Sequence, residues 1–111
     1  MMDSRQPIAC NLGQLGEVQR AREQFLLSKM LRSRLETQER TTGYAVRLPA
    51  DSLTILEVAE FILLERICCP FLDFELRWEA GENTLWLQLS GPEGVKSFLN
   101  SVFRSEPGGS G

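Results

Sequence analysis

The chain of 111 residues contains no histidine. That removes the commonest metal ligand, the commonest general base and every Ser/His or Cys/His nucleophilic arrangement. No nucleophile–base pair can be named, so an enzymatic role is not expected. Long apolar runs are missing too: nothing approaches the ~18 residues of a membrane span, and the opening MMDSRQPIAC has neither the basic start nor the apolar stretch of an export signal. A cytoplasmic protein with no membrane partner is expected. There is no basic block either, because Arg20, Arg22, Lys29, Arg32 and Arg34 are interleaved with Glu17, Glu23 and Glu36 and the net charge is −3. Without clustered cations to release counterions from phosphates, direct nucleic-acid binding is not expected. Cysteine is scarce and odd in number, and two of the three, Cys68 and Cys69, are adjacent. That is a poor basis for a secreted disulfide framework, so reduced thiols are the expected state.

What is present is ordinary for a globular protein: 42% hydrophobic and 24% charged residues, in a length that suits one core. Residues 1–13 carry Pro7 and Gly13 and little periodicity, and are expected to be an extended lead-in. From residue 14 to 36 the spacing of Leu15, Val18, Phe25, Leu26 and Met30 gives one helical face, with Leu27, Leu31 and Leu35 as a second ridge. A polar stretch, residues 37–42, leads to a short alternating strand around Tyr44, Val46 and Leu48. Asp51 is a good N-cap for a second helix over 52–68 that is apolar almost all round, and Pro70 ends it. A helix of that kind is either the centre of the core or half core and half oligomer interface.

Leu72, Phe74, Leu76 and Trp78 alternate with charged residues, residues 80–83 turn the chain, and Leu85, Leu87 and Leu89 alternate in a partner strand. Gly91-Pro92-Glu93 starts a last amphipathic helix carrying Val95, Phe98, Leu99, Val102 and Phe103. The expected fold is therefore a single two-layer α+β domain over 14–104, order α-β-α-β-β-α, with a small three-stranded sheet and helices on one face. The Gly-rich residues 105–111 are expected to be a disordered tail.

The chemically loaded spot is Cys68-Cys69, with Glu65 one helical turn earlier at i−3 and i−4. Two soft ligands and one hard one meet there, and Cys10 would add a third sulfur. Such a set suits a thiophilic ion: Hg(II), As(III), Cu(I), or Zn(II) with the carboxylate as a further ligand. The alternative is that these cysteines merely fill core space, as free cysteine commonly does. A helix C-terminus also raises a thiol's pKa, so a metal would have to supply the deprotonation itself. A vicinal disulfide would strain the peptide between the two residues. Glu57 and Glu60 share a helical face but are better read as a solvated edge. Trp86, on the otherwise polar strand face, is a candidate ligand surface or protein interface.

The run Glu65-Arg66-Ile67-Cys68-Cys69-Pro70-Phe71-Leu72-Asp73-Phe74, with Leu85-Trp86-Leu87 and Gly91-Pro92-Glu93-Gly94-Val95-Lys96, resembles a group of small uncharacterised bacterial proteins. These carry an early cysteine and an E-R-x-C-C-P-F motif, and are related to modules associated with mercury-responsive-type, heavy-metal regulators. The resemblance spans Cys10 to Phe103 and implies a heavy-metal context, with Cys10, Cys68 and Cys69 as thiol ligands. The chain departs from those regulators in having no DNA-binding helix-turn-helix. Two functions stay open: a thiol-based binder of a soft heavy metal or metalloid, and a non-catalytic interaction module, such as a homodimer, with structural cysteines.

Overall fold

The computed structural model describes residues 15–104. Three helices and four strands follow one another as α1 (Glu17–Ser33), β1 (Glu36–Arg40), β2 (Gly43–Leu48), α2 (Ser52–Cys68), β3 (Asp73–Glu79), β4 (Thr84–Ser90) and α3 (Val95–Arg104). The expected three-stranded sheet and its α-β-α-β-β-α order are therefore corrected. The sheet has four antiparallel strands in the order β1-β2-β4-β3, and the chain order is α-β-β-α-β-β-α. The added strand is Glu-Thr-Gln-Glu-Arg, almost wholly exposed, which pairs with β2 from Glu36↔Arg47 to Arg40↔Gly43 across a two-residue turn. It has no apolar alternation because it is an edge strand whose side chains meet water. Its stability comes from the main-chain ladder, and a charged edge also discourages further strand addition.

The hairpin and the second helix lie where the sequence predicts them, whereas the last helix begins at Val95, after the Gly91-Pro92-Glu93 turn expected to start it. The β3–β4 hairpin pairs Phe74, Leu76 and Trp78 with Leu89, Leu87 and Leu85, and Asn83 takes the left-handed φ of 52° that its turn demands. The α2 N-cap is Asp51, whose carboxylate accepts from Thr54 N at 2.9 Å and from Thr54 Oγ1 at 3.1 Å. Helix α1 ends at Ser33, three residues short of expectation, because the chain there turns into the β1–β2 ladder through Leu35 N donating to Arg47 O.

All helices pack on one face of the sheet, that of Val46, Leu48, Leu85, Leu87 and Leu89, and close one core with Leu26, Met30, Phe61, Cys68, Val95, Leu99 and Phe103. Edge-to-face pairs of Tyr44 with Phe103 and Phe71 with Phe98 dock α3. α1 and α2 run antiparallel, since Arg22 pairs with Glu60 and Lys29 with Glu57. Among the described residues no helix is long and apolar enough to cross a membrane. The lead-in of residues 1–13 and the tail of 105–111 lie outside the described residues.

Gly43 sits where β2 meets β4 and has no room for a side chain: a Cβ there would lie 1.9 Å from the Leu89 carbonyl oxygen. Backbone, not a movable side chain, fills the space. Gly43→Ala should destabilise by about 2 kcal/mol or more, lowering Tm by about 10 °C in thermal unfolding. Gly81→Ala, whose Cβ would meet nothing within 4 Å, is the control and should leave Tm nearly unchanged.

Candidate metal centre

The last turn of α2 puts Glu65, Cys68 and Cys69 on its buried side, and Pro70 with the turn that follows folds Phe71 and Leu72 over them. Cys68 and Cys69 are 1% and 0% exposed and Glu65 is 7% exposed. One oxygen of Glu65 and the two sulfurs all lie within 4.8 Å of one another. The sulfurs are 3.7 Å apart, which is contact without a bond, so the strained vicinal disulfide does not form. Cys68 is a free thiol. Cys69 is disulfide-bonded, unlike the reduced state expected of all three cysteines. Cys10 lies outside the described residues.

Sequence reasoning passed over Glu23. It counted as one of the acidic residues interleaved with the α1 cations, yet it is 3% exposed and faces the α2 cysteines across the helix pair. The signal was in the spacing: Glu23, Leu26 and Met30 follow one another at i, i+3 and i+7, so the carboxylate stands on the buried ridge. Glu23, Met30, Glu65 and Cys68 line one cleft of about 210 Å³, closed on its other sides by apolar side chains of α3 and by Leu72 and Leu89. Exposed Gln24 stands on the same cleft, so it opens toward solvent.

Electrostatics follow from the burial. Removal from water pushes the Glu65 carboxyl up to about 9, helped by its hydrogen bond with Glu23 and by the Glu23 charge. Burial likewise pushes the Cys68 thiol up to about 12, and the acidic groups Glu65 and Glu23 add to the shift. Arg66, the one cation of this helical turn, is exposed and directed to water. Glu65 is thus a neutral acid near pH 7. Its Oε2 lies 3.2 Å from Cys69 Sγ.

Chemically, this is a pocket of protonated donors: an acid and a thiol, with a second sulfur beside them. It offers no nucleophile, since the thiol is the form that prevails, but it can exchange protons for a cation. Of the two other carboxylates singled out on α2, Glu60 lies at a solvated edge and accepts from Arg22 at 2.8 Å and 2.9 Å, whereas Glu57, paired with Lys29 at 2.9 Å, is only 17% exposed. Trp86 stands far from the cysteines in the sheet register, on the face opposite the helices, between Arg47 and Arg77. Those arginines are held by Glu36 and Glu79. The first helix does not cover it. No family model matches the chain, and no curated protein or solved structure does so either.

The raised Glu65 acidity has a consequence for stability. Folding favours the protonated carboxyl, so the unfolded chain, with its ordinary value of 4.5, gives up that proton first as pH rises. Stability from this group is fully present below pH 4.5 and is progressively lost between there and about pH 9. Glu65→Gln keeps the shape and the hydrogen bond but cannot ionise. Its Tm should vary less with pH across that window than that of the unmodified protein and exceed it at the alkaline end. Parallel Tm–pH curves for the two proteins would refute a buried neutral acid.

Proposed function

We propose that the chain, with its cysteines reduced, binds one thiophilic metal or metalloid ion through Cys68 and Cys69, with Glu65 as the third donor. Cys10 is the candidate for a further thiolate. The observation that carries the reading is the convergence of two sulfurs and a carboxylate oxygen within 4.8 Å. Spacing favours an ion with bent coordination. With bonds of ~2.3 Å, sulfurs 3.7 Å apart subtend about 107° at a common ion, near the tetrahedral angle. An oxygen 3.2 Å from Cys69 Sγ subtends about 90° with bonds of ~2.3 and ~2.1 Å. These two angles suit Zn(II), whereas a linear two-thiolate ion such as Hg(II) needs the sulfurs about 0.9 Å farther apart.

The resemblance of the Glu65 to Phe74 run to proteins of heavy-metal systems supports the same reading. So does the cleft that leads to Cys68 from exposed Gln24. The disulfide at Cys69 withholds one thiolate, so the binding form is the reduced one, as a cytoplasmic setting provides. Access to the thiolates is bought by proton release, because burial holds Cys68 and Glu65 protonated.

Titration of the phosphine-reduced protein with Zn(II), arsenite and Hg(II), followed by calorimetry and thiolate-to-metal absorbance, should give one ion per chain. Cys68→Ser and Cys69→Ser should each weaken binding by about 100-fold or more, and Glu65→Gln by less. Apparent affinity should rise about tenfold per pH unit for every proton displaced, and the slope should fall by about one in Cys68→Ser. Binding unchanged in Cys68→Ser and Cys69→Ser alike, or no stoichiometric binding at all, overturns the proposal. Cys10→Ser decides the remaining ligand: a loss comparable to Cys68→Ser places Cys10 on the ion, and an unchanged affinity takes it off.

A further inference from the structure

The face of the α1–α2 pair that looks away from the sheet is dry. On α2, Leu53, Leu56, Leu63 and Ile67 are 58%, 67%, 55% and 39% exposed, and on α1 Val18 and Phe25 are 82% and 48% exposed. The α2 positions, together with Glu60, repeat at 3-4-3-4 spacing, which is the seam of a helix that packs against another helix at a shallow angle. None of these side chains belongs to the core, whose α2 members, Val58, Phe61, Glu65 and Cys68, lie on the other side of the same helix. Helix propensity does not require them, since polar residues serve an exposed helix face equally well.

We infer that this face is the contact between two copies of the chain, which meet through α1 and α2 as an intermolecular four-helix bundle. Area and charge both favour a second copy. Six apolar side chains at these exposures present on the order of 600 Å² of apolar surface, at the upper end for the largest patch on a monomer and approaching the ~800 Å² each partner gives a standard interface. The charges within the patch cancel: Arg22 holds Glu60 with two hydrogen bonds and stacks on the Phe25 ring at 5.3 Å from its centroid. A two-fold axis through this face therefore sets apolar rows against apolar rows and brings no unpaired like charge together. A strongly charged partner would find nothing here to answer it. Two antiparallel helices in each copy, both of 17 residues, supply the four that a bundle needs.

The inference is independent of the metal reading, because the stripe and the thiol site occupy opposite sides of α2. Sedimentation velocity on the full, metal-free chain should show a species of twice the 12.6 kDa chain mass in the micromolar range, dissociating on dilution. Leu56→Glu and Leu63→Glu alter side chains that already face solvent, so circular dichroism should be unchanged while dimerisation weakens by about 30-fold or more for each, and Tm should fall only at concentrations where the unsubstituted chain is dimeric. Leu35→Glu, at an exposed position between α1 and β1, is the control and should leave association intact. A monomer at every concentration, whatever other molecule then covers the stripe, overturns the inference. So does a dimer that both glutamate variants, still folded, leave as tight as before.

Discussion

A carboxyl group packed inside a small core has to keep its proton, and the interior of this protein is arranged around that constraint. Glu65 lies on the buried side of α2 with Glu23 opposite it on α1, and two ionised carboxylates in such a space would repel at high cost. The neutral acid removes the cost. It also lets α1 and α2 approach closely enough to close the core over Cys68 and Cys69. Toward the solvent side the same two helices are joined differently: the exposed Arg22–Glu60 pair and the part-buried Lys29–Glu57 pair set the antiparallel register. The helix pair is thus fixed by cations at its surface and by shared protons at its centre.

Proton retention also decides what chemistry the site can perform. A thiol pushed to about 12 is a weak nucleophile and a poor redox partner at neutral pH, which speaks against peroxidase-like or disulfide-exchange roles for Cys68. An ion is different from an oxidant in this respect, because it replaces the proton it expels. A divalent cation taking two thiolates leaves the pocket with no added charge, so burial resists the thiolates singly and tolerates them together with the metal. Apolar walls would strengthen such bonds by excluding competing water, so the burial that makes the Cys68 thiol inert is compatible with the proposed metal site.

How far the fold could be read from the sequence depends on which residues carried the pattern. The β3–β4 hairpin is legible because three apolar residues alternate with charges on β3 and a turn-forming Asn83 follows. Helix α2 is legible from Asp51 to Pro70, since both ends bear residues with a single structural use. β1 is not legible. Its five residues are polar on both faces, and only its ladder to β2 makes it a strand. Of the site, Glu65, Cys68 and Cys69 are brought together by helical spacing alone, whereas Glu23 depends on how α1 is rotated against α2. That rotation was misread at Val18 and Phe25, which were grouped with Leu26 and Met30 but point outward. One broad apolar face is really two, with Glu23 in the inner one, and charge alone had seemed to place that residue outside.

The same rotation explains why the two outer surfaces of the molecule differ. On the open sheet face Trp86 is flanked by Arg47 and Arg77, each held by a glutamate, so the aliphatic stems of the arginines shelter the indole and their heads stay wet. Water is an adequate partner for that surface. On the helix face the leucines of α2 are 55–67% exposed, and the Arg22–Glu60 pair beside them is closed on itself. An apolar helix exposed on one side and packed against buried acids on the other thus carries two rows: the inner one, with Glu65 and Cys68, lies in the core, and the outer one presents its apolar side chains to solvent.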